Sequence, residues 1–189
     1  MEENSKEEAI VQDRLKNIGF FLKDNKKLII IFILALILIF GFYIRTRNLS
    51  LLVDSTTGKY IPADPDAFEF MRYTKYIAEH GSLMDIDYMR YYPWGYDNMV
   101  EFSLLSYTLA YAYKFLHIFI PSLTIELVDV TYPAFAFVLS MIFFFLFVRK
   151  ILGWKVGLIS TFFVTVMPGY LFRTMTGVSD KEAMALIFL

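Results

Sequence analysis

The sequence predicts an all-α polytopic membrane protein, and three observations lead to this fold class. The chain has 189 residues, of which 57% are hydrophobic, well above the apolar share of an ordinary soluble domain. Three stretches, 28–44, 130–148 and 156–172, contain no charged residue and are long enough to cross a bilayer as helices. Lysine or arginine lies directly beside at least one end of each of them, as is typical of membrane-spanning helices.

The distribution of positive charge predicts the orientation of these helices. Basic residues precede the first stretch and separate the last two, so the positive-inside rule places both clusters in the cytoplasm. The apolar stretch 102–120 is interrupted by Lys114 and is expected to lie at the membrane interface or against protein. Under this arrangement the N-terminus is cytoplasmic, and Asp66 and Asp180 share the external face.

The predicted organisation of this cell-membrane protein follows directly from that orientation. An amphipathic helix is expected ahead of the first span, because Val11, Leu15, Ile18 and Leu22 recur at helical spacing, although a solvated tail explains them nearly as well. The chain ends within a new apolar run, so we expect it to be the N-terminal part of a longer protein. In chain order the predicted segments are a cytoplasmic N-terminus (1–27), a first span (28–44), a first external loop (45–126) with interfacial helices at about 65–80 and 102–120, a second span (127–148), a cytoplasmic loop (149–155), a third span (156–172), a second external loop (173–182) and the start of a further helix (183–189).

Composition limits the chemistry available to the chain. It has no cysteine, which excludes disulfides, thiolate catalysis and cysteine-based zinc sites. Its net charge is −1, so it lacks the overall basic field that would favour nucleic acid as a partner. Because cysteine is absent, any metal site must use mainly oxygen ligands, which favours Mg²⁺ or Mn²⁺.

The first acidic run, "IPADPDAFEF", reads as the start of a helix. Asp64 fits an N-cap, Pro65 fits the first helical position, and Asp66 is favoured in the first turn by the helix dipole. The functional alternative is that Asp66 offers its carboxylate to a divalent cation. A second Asp-x-Asp pair, Asp85 and Asp87, lies in the same loop, and we expect one of the two pairs to have no part in a site.

The second acidic run, "TGVSDKEAM", also allows two interpretations. Ser179 followed three residues later by Glu182 fits a capping box, which would make Glu182 a local structural device. Alternatively, Asp180 and Glu182 supply two oxygen ligands that join Asp66 around one cation. Such convergence would itself call for a cation, because unpaired carboxylates repel one another.

The ordered set of motifs resembles a known family. A single anchor leads to "TRN", then to Asp66 followed six residues later by Arg72, then to "YYPWG", and after two spans to "PGYLFRTMTGVSDKEA". This resembles the N-terminal part of the oligosaccharyltransferase catalytic subunit, nearest the archaeal AglB type, and implies a GT-C-type glycosyltransferase transmembrane domain. On physics alone, the aromatic residues of "YYPWG" are equally explained by a membrane interface.

The resemblance implies specific roles for residues of this chain. Asp66, Asp180 and Glu182 would bind Mn²⁺ or Mg²⁺, and Asp66 would also assist catalysis by activating the acceptor amide. Arg72 and Arg173 become candidate substrate-binding residues, although Arg173 is also explained by snorkelling from a helix end. The implied partners are membrane lipid, a lipid-linked oligosaccharide donor on a (poly)prenyl phosphate or pyrophosphate, and an acceptor polypeptide with an Asn-x-Ser/Thr sequon.

The same resemblance sets a limit and leaves alternatives open. The acceptor-binding signature of the family, Trp-Trp-Asp-Tyr-Gly, does not occur in these residues, so the chain is expected to be inactive alone. One alternative is another GT-C enzyme that uses lipid-phosphate sugars, such as a protein O-mannosyltransferase. Those typically carry an adjacent Asp-Glu pair where this chain has Asp-Pro-Asp. The other alternative is a structural or transport-related membrane protein without catalytic activity.

Overall fold

The computed structural model describes residues 25–100 and 103–185, and this part of the chain is mostly helical, which confirms the predicted fold class. Two short strands, β1 (Ile86–Asp87) and β2 (Tyr96–Asp97), form an antiparallel hairpin, and short 3₁₀ turns occur at Leu49–Leu52 and Asn98–Val100. The amphipathic N-terminal helix expected before residue 25 and the end of the final segment, 186–189, lie outside the described residues. The helices are α1 (Lys26–Thr46), α2 (Pro65–His80), α3 (Leu104–Phe119), α4 (Ile125–Leu152), α5 (Trp154–Val166), α6 (Pro168–Arg173) and α7 (Lys181–Ala185).

Within the described residues, two helical segments are long and apolar enough to cross a membrane, Lys26–Leu52 and Ile125–Leu152, while α5 is a shorter apolar helix. The helices α1, α4 and α5 pack against one another. Gly41 permits the close approach of α1 to α4, because a Cβ at this position would lie 2.4 Å from Cζ of Phe137. These apolar helices support a location in the membrane.

The structure differs from the prediction in the region of the third span. Instead of one helix over 156–172, the chain forms α5 and α6, with Met167 between them in an extended conformation. The break follows from Pro168, which has no backbone N–H and disfavours a helical conformation in the residue before it. The cytoplasmic loop expected at 149–155 is also shorter, because α4 continues to Leu152 and only Gly153 separates it from α5.

The segment between α1 and α4 forms a compact layer. The helices α2 and α3 pack on each other and on α4, and the buried side chains of Phe70, Leu105, Leu109 and Val128 form one apolar cluster between them. The helix expected at about 102–120 is α3, whose first half is buried against its neighbours, while Phe115, Ile118 and Phe119 near its end are exposed. This layer places the start of α2 beside the end of the bundle where α1 ends and α4 begins.

Candidate site where two acidic loops meet

Backbone hydrogen bonds join the two acid-bearing loops directly. The N–H of Ala63 donates to the carbonyl oxygen of Gly177 at 2.9 Å, and the N–H of Gly177 donates to the carbonyl oxygen of Val130 at 2.8 Å. Asp66 follows Ala63 by three residues, and Asp180 follows Gly177 by three residues. Three residues of chain reach at most about 10 Å, so both acids lie near this junction.

Further bonds tie the second acidic loop to the end of α1. The N–H of Thr176 donates to the carbonyl oxygen of Arg45 at 3.1 Å, and the Asn48 amide donates to the carbonyl oxygen of Thr176 at 2.9 Å. Both loops therefore lie at the same end of the bundle, where α1 ends and α4 begins. This is the arrangement that sequence reasoning required for a shared site.

Gly177 is what allows the loops to approach so closely. Its φ of +89° lies in the left-handed region that favours glycine. A Cβ there would lie 2.9 Å from Cδ1 of Leu52 and 3.1 Å from both Cβ and N of Ala63. The glycine therefore meets two requirements, a backbone conformation and a close contact, at the same position.

Asp66 stands in the first turn of α2 with an exposed side chain. The carboxylate of Asp64 accepts a hydrogen bond from the N–H of Asp66 at 2.9 Å, and Pro65 occupies the first helical position. Gly81 ends the helix in a left-handed conformation. The capping interpretation of Asp64 is thus confirmed, and the carboxylate of Asp66 is left pointing from a rigid helix end.

The second acidic run is arranged differently from a capping box. The hydroxyl of Ser179 is buried without a hydrogen-bond partner, and the carboxylate of Glu182 instead pairs with Nε of Arg173 at 2.9 Å. The capping-box expectation for Ser179 and Glu182 is therefore wrong. Asp180 is 8% exposed, and its Oδ1 accepts the N–H of Lys181 at 2.6 Å.

The acidic side chains of the two loops are suitable ligands for a hard divalent cation, but their carboxylates do not converge on one point. Asp66, Asp180 and Glu182 offer only oxygen ligands, which match Mg²⁺ and Mn²⁺. Across residues 25–100 and 103–185, however, no group of three or more His, Cys, Asp or Glu side chains stands close enough to hold a metal ion. Cation binding through Glu182 would require its carboxylate to exchange Arg173 for the ion.

Arg72 is paired with the second Asp-x-Asp motif. Its guanidinium makes a two-pronged contact with the carboxylate of Asp87, with Nη1 at 2.8 Å from Oδ1, and Tyr73 donates its hydroxyl to Oδ2 at 3.0 Å. Asp87 is 1% exposed. The hydrogen bonds from Arg72 lower the pKa of Asp87 to about 2, while burial raises the pKa of Tyr73 to about 12.

The pair has a structural consequence, because it fastens the hairpin to α2. A second ion pair, between Arg90 and Glu69 at 2.7 Å, joins the same two elements, and the Arg90 guanidinium stacks 3.8 Å above the ring of Tyr96. Asp87 thus belongs to a structural network, as expected for one of the two Asp-x-Asp pairs. The hairpin turn that these contacts hold presents Tyr92 and Trp94 to the surroundings, each more than four-fifths exposed.

A buried arginine holds the same end of the bundle together. Arg45 is fully buried. Its Nε–H donates a hydrogen bond to Oγ1 of Thr174 at 2.7 Å, and its Nη2–H donates one to the carbonyl oxygen of Thr165 at 3.1 Å. Its guanidinium carbon lies 3.6 Å from the ring centroid of Phe137. These contacts link α1, α4 and α5 and the end of α6. They fix the position from which the second acidic loop departs.

Sequence reasoning missed a buried carboxylate behind this loop. Asp129, in the second turn of α4, is fully buried, and neither of its carboxylate oxygens has a hydrogen-bond partner. It went unnoticed because it stands immediately before the uncharged stretch 130–148 and fits no motif. Its proximity to Ser179 depends on the folded loop and is not visible from spacing along the chain.

Comparison with known proteins agrees with this architecture. The family described as "Oligosaccharyl transferase STT3, N-terminal" matches residues 28–189. The structure is similar to that of the archaeal oligosaccharyltransferase AglB from Archaeoglobus fulgidus in complex with an inhibitory peptide and a dolichol-phosphate, with a TM-score of 0.67 and 19% identity over 85% of this chain. The apo form of the Archaeoglobus fulgidus oligosaccharyltransferase gives a TM-score of 0.60 and 21% identity over 80% of this chain.

These matches also define how much of the relatives the chain represents. It covers 18% of the length of either Archaeoglobus fulgidus structure. No curated protein sequence matches the chain significantly. The family match extends over most of the chain, and the chain therefore belongs to the oligosaccharyl transferase STT3 family, as part of its N-terminal region.

Proposed function

We propose that the chain is the N-terminal part of a membrane oligosaccharyltransferase that transfers a glycan from a lipid-linked donor to the asparagine of Asn-x-Ser/Thr sequons. The observation that carries this proposal is the Ala63–Gly177 hydrogen bond, which brings together the two loops bearing Asp66 and Asp180. Family membership favours this function over a protein O-mannosyltransferase and over a structural or transport protein. The AglB structure that contains a dolichol-phosphate and a peptide supports lipid and polypeptide partners for this chain as well.

The acidic loops are proposed to work at the external surface of the membrane. Lysines and arginines lie before α1 and at the α4–α5 connection, so the positive-inside rule assigns the opposite end of the bundle to the outside. That end carries the Ala63–Gly177 junction. A donor could then keep its lipid tail in the bilayer while its phosphate and sugar reach the carboxylates.

We propose that Asp66, Asp180 and Glu182 contribute ligands to Mn²⁺ or Mg²⁺. When bound, the cation would stabilise negative charge developing on the phosphate leaving group. The exposed carboxylate of Asp66, on a rigid helix end, is also positioned to accept a hydrogen bond from an acceptor amide N–H. Arg173, which now pairs with Glu182, could turn to a donor phosphate once the cation takes that carboxylate.

Arg72 has a different place in the proposal. Its guanidinium already binds Asp87, so its contribution to substrate binding would be to hold the hairpin in position rather than to contact phosphate. If Arg72 turned to phosphate, the buried carboxylate of Asp87 would lose its partner, and an unpaired buried charge is strongly destabilising.

The test is sequon glycosylation by the full-length gene product carrying Asp66→Ala. Loss of a group that acts on developing charge should lower the rate by at least about 100-fold. Asp85→Ala is the matched control, because it removes an exposed acid from the other Asp-x-Asp pair in the same loop and should leave the rate unchanged. Near-normal activity of the Asp66 variant would remove this residue from the mechanism.

A further inference from the structure

We propose that Asp129 is a positioning residue that holds the second acidic loop in place through Ser179 and thereby sets the location of Asp180. The proposal rests on the proposed function, since it concerns the same cation-binding loop. It assigns a role to a residue of α4 that lies outside both acidic runs.

The starting observation is that unsatisfied polar atoms are concentrated at one place. In the described part of the chain, every buried side-chain oxygen or nitrogen without a hydrogen bond belongs to Asp129, Tyr132 or Ser179. Asp129 and Ser179 are both fully buried. A buried polar group without a partner costs free energy, and native structures contain few of them. A cluster of three such residues therefore requires a common explanation.

The donors and acceptors of this cluster match in number. Asp129 offers two free carboxylate oxygens, while Ser179 and Tyr132 each offer a hydroxyl that can donate. Ser179 lies beside the Asp129 carboxylate, and Tyr132 lies within electrostatic reach of both Asp129 and Asp180. Tyr132 is also on the same face of α4 as Asp129, three residues further along. If both hydroxyls donated to the Asp129 carboxylate, each of the four unpaired atoms would gain a partner.

The backbone already holds the loop where these bonds can form. The N–H of Gly177 donates to the carbonyl oxygen of Val130, the residue after Asp129, at 2.8 Å. Between this anchor and α7 lie only Val178, Ser179 and Asp180, and the N–H groups of Val178 and Asp180 are bonded within the loop itself. A bond from Ser179 to Asp129 would fix the middle of this short segment, and Asp180 follows immediately. Asp129 would thus support Asp180 in the way that outer carboxylates orient metal ligands.

The experiment measures Mn²⁺ binding to the full-length protein in detergent, from the electron paramagnetic resonance signal of free Mn²⁺. Asp129→Asn removes the charge while keeping the size of the side chain, and Ser179→Ala removes only the hydroxyl. We expect Asp129→Asn to weaken the apparent Mn²⁺ affinity about 10–100-fold. Ser179→Ala should act in the same direction, and the double variant should be no weaker than Asp129→Asn alone, because the two residues act as one unit. Ser106→Ala, an equally buried serine on α3, is the matched control and should bind as the wild type does.

Amide hydrogen exchange over 177–185 in the metal-free protein gives a readout that is independent of the ion. Asp129→Asn and Ser179→Ala should both speed exchange in this segment, whereas Ser106→Ala should not. Provided that Asp66→Asn weakens Mn²⁺ binding, wild-type Mn²⁺ affinity in both Asp129→Asn and Ser179→Ala would overturn the proposal, and so would wild-type exchange in both. If Asp129→Asn does not fold, Ser179→Ala decides by the same two measurements.

A parallel variant, Asp66→Asn, separates this proposal from the proposed function. If Asp66→Asn lowers Mn²⁺ affinity while Asp129→Asn and Ser179→Ala do not, Asp129 has no positioning role although the cation site stands. If Asp66→Asn leaves Mn²⁺ affinity unchanged, the proposed cation site is wrong. Amide exchange over 177–185 then decides the role of Asp129 by itself.

Discussion

Substituting Gly177 by alanine tests the junction between the two acidic loops. The new Cβ would lie 2.9 Å from Cδ1 of Leu52 and 3.1 Å from the backbone nitrogen of Ala63. A left-handed conformation costs a non-glycine residue about 1–2 kcal/mol. Forcing a methyl group into a packed contact costs about 1–3 kcal/mol more. The variant should therefore lose about 2–5 kcal/mol of stability, the sum of these two contributions.

The chain provides a control for each contribution. Gly58 has a φ of +68° but no atom within 4 Å of its hypothetical Cβ, so Gly58→Ala should show only the backbone cost of about 1–2 kcal/mol. Gly169 lies in α6 and has neither a positive φ nor a close neighbour, so Gly169→Ala should be neutral or stabilise the protein by up to about 1 kcal/mol, because alanine is the better helix former. The difference between Gly177→Ala and Gly58→Ala isolates the contact with the first acidic loop.

The assay is denaturant titration of the three variants in detergent micelles, followed by Mn²⁺ titration of the folded protein. Gly177→Ala should be the least stable and should also bind Mn²⁺ more weakly, because its loop moves away from Ala63. If Gly177→Ala were no less stable than Gly58→Ala, the loops would not be in close contact and the structural argument for a shared site would be refuted.

Three other predictions concern ion pairs and the buried arginine. The pKa of Asp87 is about 2 in the folded protein, whereas its ordinary value is 3.8. The pair with Arg72 therefore stabilises the fold above about pH 4. This contribution, about 2 kcal/mol, should be lost as the pH falls from 4 to 2. Asp87→Asn should reduce that acid-dependent loss, as measured by stability at several pH values. Arg45→Lys should destabilise the protein by about 2–3 kcal/mol, since lysine cannot reach Thr174 and Thr165 together or stack on Phe137, and wild-type stability would contradict this. Arg173→Ala should change stability by less than about 1 kcal/mol, because its pair with Glu182 is half-exposed, but should strengthen Mn²⁺ binding by freeing Glu182; weaker binding would argue against Glu182 as a ligand.

The parts of the fold that sequence analysis predicted best depend on local signals. The α2 helix begins and ends where Asp64, Pro65 and Gly81 indicate, because capping and the left-handed conformation of glycine act within a few residues. Pro168 is a local signal of the same kind, yet the uncharged stretch 156–172 around it predicts one continuous span.

The parts that sequence analysis could not predict depend on contacts between distant residues. Asp87 is fixed by Arg72, fifteen residues away, and Glu182 is held by Arg173 instead of capping its own helix. Asp129 carries no motif, and its meaning appears only when the loop containing Ser179 folds against α4. Spacing along the chain identified the acids of the candidate site but not the contacts that hold them.

Asp66 and Asp180 should lie over the same end of the bundle, and the distance between these two positions tests the shared site most directly. The chain has no cysteine, so Asp66→Cys and Asp180→Cys allow nitroxide labels at these two positions for a pulsed electron paramagnetic resonance measurement. Since each residue follows the Ala63–Gly177 bond by three positions, their Cα atoms should be less than about 25 Å apart. A separation of about 40 Å, the length of α4 at 1.5 Å per residue, would place the acids at opposite ends and contradict the proposed shared site.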